Sequence, residues 1–310
     1  MLPIWATILG LMSAVGYTAA NIGLRTVSDC DPVWVSCVKS FPTLIFVTPF
    51  LWWQLRKQKV QFVSRRFVVL LVVTSILGQL GGNAVFQWSL GVIGIALSVP
   101  LTLGALIVSG AIMGRYFLDE PVTNRTLAAI VLLTLAVFVL SLGAESAHAS
   151  VIGSLASDVS WWHIGLGVGG VLFAGTSYAI LGVVLRYGMS NGTSVSFTLF
   201  VVSIVGVISL GGVSLNRFGV DVLHQYSLEQ YGVMLAAGVF NALAFLALTK
   251  AFQLAPMVYI NAINGSQAAM AAVAGVIIFR ESPTSALWIG VVLTIFGVAI
   301  LDRQQDSDGS

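Results

Sequence analysis

Residues 67–88 read FVVLLVVTSILGQLGGNAVFQW, a run with no ionisable side chain, directly after Arg65 and Arg66. An α-helix crosses the bilayer core in about 20 residues, so the run reads as a membrane span. Its Gln79, Asn83 and Gln87 recur at i, i+4 and i+8 and therefore share one helix face. Amides turned toward lipid would leave donors and acceptors unsatisfied, each at a cost of kcal/mol. The stripe must look inward, where it either bonds neighbouring helices or walls a cavity. Gly78, Gly81 and Gly82 beside it suit close helix packing.

The same apolar character fills the rest of the chain. Of 310 residues 57% are hydrophobic and 8% charged, with a mean hydropathy of +0.97, whereas soluble domains carry about 25% charge. Nine further apolar runs lie at about 4–24, 33–54, 92–117, 124–143, 162–185, 194–213, 230–250, 257–279 and 284–301. They are continuous and about twice the length of a barrel strand. The expected fold class is an all-α integral membrane protein with ten transmembrane helices. Little chain remains for a soluble domain, and a net charge of +2 leaves no nucleic-acid footprint. Two cysteines, Cys30 and Cys37, make neither a disulfide framework nor a zinc site. The first run lacks a basic n-region and exceeds a signal-peptide h-region, so it reads as a retained helix.

Orientation follows from Lys and Arg near the helix ends. The second connection holds Arg56, Lys57, Lys59, Arg65 and Arg66 with no acid, and is expected in the cytoplasm. Arg115, Arg125, Arg186, Lys250 and Arg303 then fall on the same side, against Arg25, Lys39, Arg217 and Arg280 opposite. This places both termini inside and residues 144–160 outside, in a membrane expected to be the prokaryotic cytoplasmic one. Trp5, Trp34, Trp52, Trp53, Trp88, Trp161, Trp162 and Trp288 all lie near proposed helix ends and read as interfacial anchors, with Trp88 open because it follows the amide stripe. Lys39 and Lys250 are the charges nearest the interior and are expected to snorkel to helix ends.

An offset of 161 superimposes the two halves. Tyr17 meets Tyr178, Arg25 meets Arg186, Gly104 meets Gly265, Gly114 meets Gly275, Glu120 meets Glu281 and Thr123 meets Thr284. From Ala96 against Met257 to Leu140 against Leu301, nine of 45 positions are identical without a gap. Each half holds five helices, and an odd number inverts the second repeat in the membrane, an architecture of transporters. The implied units are 1–143 and 162–301, with a linker at 144–161 and a polar tail at 302–310.

Two five-helix halves, with Asp119-Glu120-Pro121-Val122-Thr123 before the fifth helix and Arg280-Glu281-Ser282-Pro283-Thr284 at the corresponding place in the second half, resemble the drug/metabolite transporter superfamily of the EamA-like type. The resemblance covers about 4–142 and 162–301. It implies that the first, third and fourth helices of each half line a central cavity and that the fifth helices are peripheral.

Other spans carry milder polar faces. Ser13, Tyr17 and Asn21 share a face of the first helix, and Ser98, Thr102 and Ser109 one of the fourth; Asn241 lies in the eighth and Asn261, Asn264 and Gln267 in the ninth. The candidate substrate-binding set is Tyr17, Asn21, Gln79, Asn83, Thr102, Tyr178, Asn241, Asn261, Asn264 and Gln267, with helix packing as the competing role. Glu120 and Glu281 are expected to cap the turns at the start of the fifth and tenth helices. No Asp, Glu or His falls in the middle of a span, which argues against a dedicated ion-coupling carboxylate. No nucleophile–base pair or Gly-x-Ser-x-Gly signature supports an enzyme. The reading is a secondary transporter moving a small organic metabolite, uncharged or zwitterionic, by alternating access, with a polytopic enzyme or an inert scaffold as alternatives. Expected partners are the cargo and the lipid bilayer, with no nucleic acid, cofactor or metal; a homodimer is left open. In intact cells, Ser150→Cys should react with an impermeant thiol reagent while Ser307→Cys stays protected, and the reverse pattern would overturn the orientation.

Overall fold

The computed structural model describes residues 4–57, 64–120, 161–280 and 284–302, together with scattered positions between 124 and 139. Helices α1 (Ile4–Thr26) and α2 (Pro32–Arg56) are followed by α3 (Arg65–Ile76), a π-helical stretch (Leu77–Ala84) and α4 (Val85–Ile93), which run on as one span. Next come α5 (Ile95–Phe117), α6 (Trp161–Ser190), α7 (Val195–Phe218), a 3₁₀ turn (Gly219–Leu223), α8 (Leu228–Leu254), α9 (Met257–Asn264), α10 (Gln267–Phe279) and α11 (Ser285–Asp302). Among the described residues, eight spans are long and apolar enough to cross a membrane, and Ser285–Gly297 is a shorter apolar helix. Of the ten expected helices, the fifth (124–143) lies mostly outside the described residues, as do the 144–160 linker, Glu281 and the 303–310 tail.

Local chemistry sets the helix ends. Asp31 caps α2: its Oδ1 accepts from the backbone N–H of Val33 at 3.1 Å and of Trp34 at 2.9 Å, with Pro32 in the first turn where no N–H is required. Ser227 and Gln230 form a reciprocal capping box at the start of α8. Gly94 alone separates α4 from α5, at φ 74° and ψ 173°, a conformation open mainly to glycine.

The helices pack with α1 against α8, α2 against α7, and α6 against α5. Lipid offers no hydrophobic drive for this association, so close backbone approach through small residues carries it. At Gly175 a Cβ would stand 2.3 Å from the Thr102 carbonyl oxygen and 2.8 Å from Ala105 Cβ. Large apolar side chains such as Phe46, Phe50, Ile112, Phe173 and Ile277 face outward, as a lipid-facing surface requires. Trp5, Trp52, Trp53, Trp162 and Trp288 are exposed, and Trp88 also points outward. Trp34 departs from the anchoring expectation. It is buried between helices, and its indole N–H donates to the Tyr231 hydroxyl at 3.0 Å.

Gly175→Ala should lower the detergent-solubilised melting temperature, equivalent to about 1–3 kcal/mol of overpacking. Gly212→Ala, with nothing within 4 Å of the added carbon, should leave it unchanged or raise it by up to about 1 kcal/mol. Equal effects of the two would show that the α5–α6 contact is not the tight one.

Candidate functional site

The π-helical stretch carries the amides inward. In this wider turn, Asn83 Nδ2 donates to Gln79 Oε1 at 2.7 Å, and Gln79 Nε2 donates to the Val202 carbonyl of α7 at 3.1 Å. Asn83 Oδ1 accepts twice, from Lys39 Nζ at 2.7 Å and from the Tyr178 hydroxyl at 2.9 Å. The network joins α2, the π-helical stretch, α6 and α7. Close approach makes it reachable: a Cβ on Gly82 would meet the Tyr178 ring at 2.5 Å, and one on Gly206 would meet Gln79 Nε2 at 2.7 Å. π-helical insertions concentrate at functional sites.

This network forms one wall of a central cavity of about 160 Å³. All ten candidate residues line it. Tyr17 and Asn21 come from α1, Gln79 and Asn83 from the π-helical stretch, and Thr102 from α5. Tyr178 comes from α6, Asn241 from α8, Asn261 and Asn264 from α9, and Gln267 from α10. Leu103, Leu106, Leu181, Phe245 and Leu248 are among its apolar lining residues. The ninth span, expected to be continuous, breaks at Gly265 and Ser266 between α9 and α10. Asn261, Asn264 and Gln267 surround that break, and interrupted helices mark transporter sites.

The polar residues differ in how much bonding capacity they retain. Ser13 donates to Asn264 Oδ1 at 3.3 Å, while Ser109 and Thr176 hydroxyls pair at 3.2 Å. Asn261 Nδ2 and Thr102 Oγ1 are buried without a partner among the described residues. Gln87, the third member of the stripe, leaves the cavity. Its Nε2 donates to the Leu24 carbonyl at 3.0 Å, because the return to α geometry after Ala84 rotates it toward α1.

Lys39, expected to snorkel to a helix end, does not do so. Only 4% exposed, it turns into the cavity toward Asn83, whereas Lys250 is exposed. Its position seven residues inside α2 was the available signal. Thr43 and Ser203 also line the cavity and carry no comparable sequence signal.

Behind the cavity wall lies an ionic cluster. Glu120 Oε1 accepts from Arg186 Nε at 3.2 Å and from the Met257 backbone N–H, the first residue of α9, at 3.0 Å. Arg186 Nη1 donates to the Phe252 carbonyl at the end of α8. Glu120, expected at the start of the helix that follows it in sequence, thus caps one 137 residues away. Its place beside an N-terminus suits the positive end of the helix dipole. Phe252 and Met257 themselves line the cavity, so the cluster stands directly behind them. Among the described residues no group of three or more His, Cys, Asp or Glu could hold a metal ion.

A crystal structure described only as "Crystal structure of protein" has the same fold, with a TM-score of 0.63 over 96% of each chain at 13% identity. At that identity the likeness speaks for the fold alone. No curated protein sequence matches the chain. The EamA-like transporter family matches residues 2–142 and 165–302. With both halves matched around a central cavity that polar side chains of both halves line, the protein belongs to the EamA-like transporter family: it is an integral membrane transporter of small organic molecules.

Proposed function

We propose that the cavity is the cargo site of an alternating-access carrier built from two inverted five-helix repeats, about 1–143 and 162–301, joined by an external linker. The observation that carries this reading is the convergence of polar side chains from both halves on one cavity. Helix pairing supports the repeat. Under the 161-residue offset, the α1–α8 contact corresponds to that of α6 with the α3–α4 span, and the α5–α6 contact to that of α1 with α9 and α10. The α2–α7 contact maps onto itself, as an axis between the repeats requires. Tyr17 and Tyr178, equivalent positions, both face the cavity. The Lys/Arg distribution supports cytoplasmic termini; the proposed location is a prokaryotic inner membrane.

In this reading the side chains with unspent bonding capacity hold the cargo, and those already engaged hold the wall. Asn21 and Asn241 face the cavity with no side-chain hydrogen bond among the described residues, whereas Gln79 is bonded at both ends. A neutral hydrogen bond contributes about 0.5–1.5 kcal/mol, or roughly two- to tenfold in affinity. Asn21→Ala and Asn241→Ala should raise the half-saturating cargo concentration by that factor in proteoliposomes, with near-normal melting. Gln87→Ala should do the opposite, lowering stability and sparing affinity. Stability losses at Asn21 and Asn241 without any change in affinity would make the cavity wall a packing feature.

A further inference from the structure

The cavity contains one cation and no anion to match it. Tyr17, Tyr178 and Lys39 are its titratable residues, and among the described residues no Asp, Glu, Arg or His lines it. The ion pairs among the described residues, Arg186–Glu120 and Arg217–Asp31, lie elsewhere. Lys39 is 4% exposed and spends one of its three N–H donors on Asn83 Oδ1. That oxygen is already shared with Tyr178, so it is a poor substitute for a full negative charge. An ammonium held away from water is costly unless paired, and intramembrane charges that persist mark function.

Two residues of the cavity lining also carry unpartnered polar atoms. Asn261 Nδ2 is a buried donor without a partner, and the Thr102 hydroxyl can donate as well. What the cavity lacks is a negative charge: Asn21 and Asn241 offer it neutral amide oxygens, and none of its lining residues is an anion. The apolar wall of Leu103, Leu106, Phe245 and Leu248 leaves room for a hydrocarbon portion next to it.

We propose that Lys39 is the counter-charge for an acidic group on the cargo, so that the protein carries small organic acids or zwitterions held by their carboxylate against Lys39 Nζ. The proposal rests on the cavity being the cargo site and narrows the cargo to one charge class. Uncharged solutes drop out. The carboxylate completes the ammonium's coordination, and Asn83 holds the side chain in place.

The test uses purified full-length protein and matched acid–amide pairs: benzoate with benzamide, 4-methylpentanoate with 4-methylpentanamide, and leucine with leucinamide. A ligand that binds only the folded state raises the melting temperature. The expected result is stabilisation by an acid and not by its amide. Lys39→Gln should weaken the acid response about tenfold or more, and Lys39→Arg should retain it. Without ligand, Lys39→Gln should melt at or above the wild-type temperature, because it removes an unpaired buried charge while keeping a donor for Asn83. Amides that bind as well as acids, or an acid response that survives in Lys39→Gln, would overturn the charge assignment and leave the carrier reading intact. A clear loss of unliganded stability in Lys39→Gln would make Lys39 a structural pillar and also overturn it. Failure of every acid and amide to bind would sink both the assignment and the cavity as cargo site.

Discussion

One amide oxygen holds the centre of the molecule. Asn83 Oδ1 accepts from Lys39 of α2 and from Tyr178 of α6, while the same side chain donates to Gln79, which reaches the α7 backbone. In a bilayer no hydrophobic effect drives helices together, and a polar group that misses its partner has no water to fall back on. A network of this kind is therefore an obligation on the surrounding helices. It dictates that Gly82 stand against the Tyr178 ring and Gly206 against Gln79. It also requires a local widening of the third span to bring Gln79 and Asn83 to bear together. The cavity is the space left on the open side of that network.

The ionic cluster of Glu120 and Arg186 works at a different level. It joins the end of α5, the end of α6, the end of α8 and the start of α9, all near where the cavity wall closes. Glu120 Oε1 and Arg186 are bonded to each other and to helix termini, which suits a structural tie between the two halves, while Glu120 Oε2 is buried without a partner among the described residues. The offset of 161 pairs Arg186 with Arg25 and Glu120 with Glu281, so the sequence carries the same residue types for the opposite face.

Much of this was legible before any coordinates. Continuous apolar runs announce spans because lipid demands about 20 uninterrupted residues, and Asn and Gln inside them announce an interior because lipid cannot satisfy them. The candidate amides and tyrosines meet in one cavity for that reason. What escaped the sequence depends on tertiary placement. Periodicity of 3.6 put Gln87 with Gln79 and Asn83, but the π-helical stretch breaks that register and sends Gln87 to the Leu24 carbonyl. Trp34 sits near a helix end like a true anchor, yet Tyr231 of α8 takes its indole N–H. Lys39 is long enough to reach a headgroup or a cavity, and composition alone could not choose between them. Cap residues also lie outside any hydropathy window, so α8 starts at Leu228 behind Ser227 rather than at 230.

The central claim is that this cavity is exposed to each side of the membrane in turn. Thr102, buried in the wall with an unpartnered hydroxyl, is the position to watch. The measurement is modification of Thr102→Cys by an impermeant maleimide applied to either face of oriented proteoliposomes, in a chain carrying Cys30→Ser and Cys37→Ser. Alternating access predicts reaction from both faces; reaction from one face only, or from neither, would contradict it.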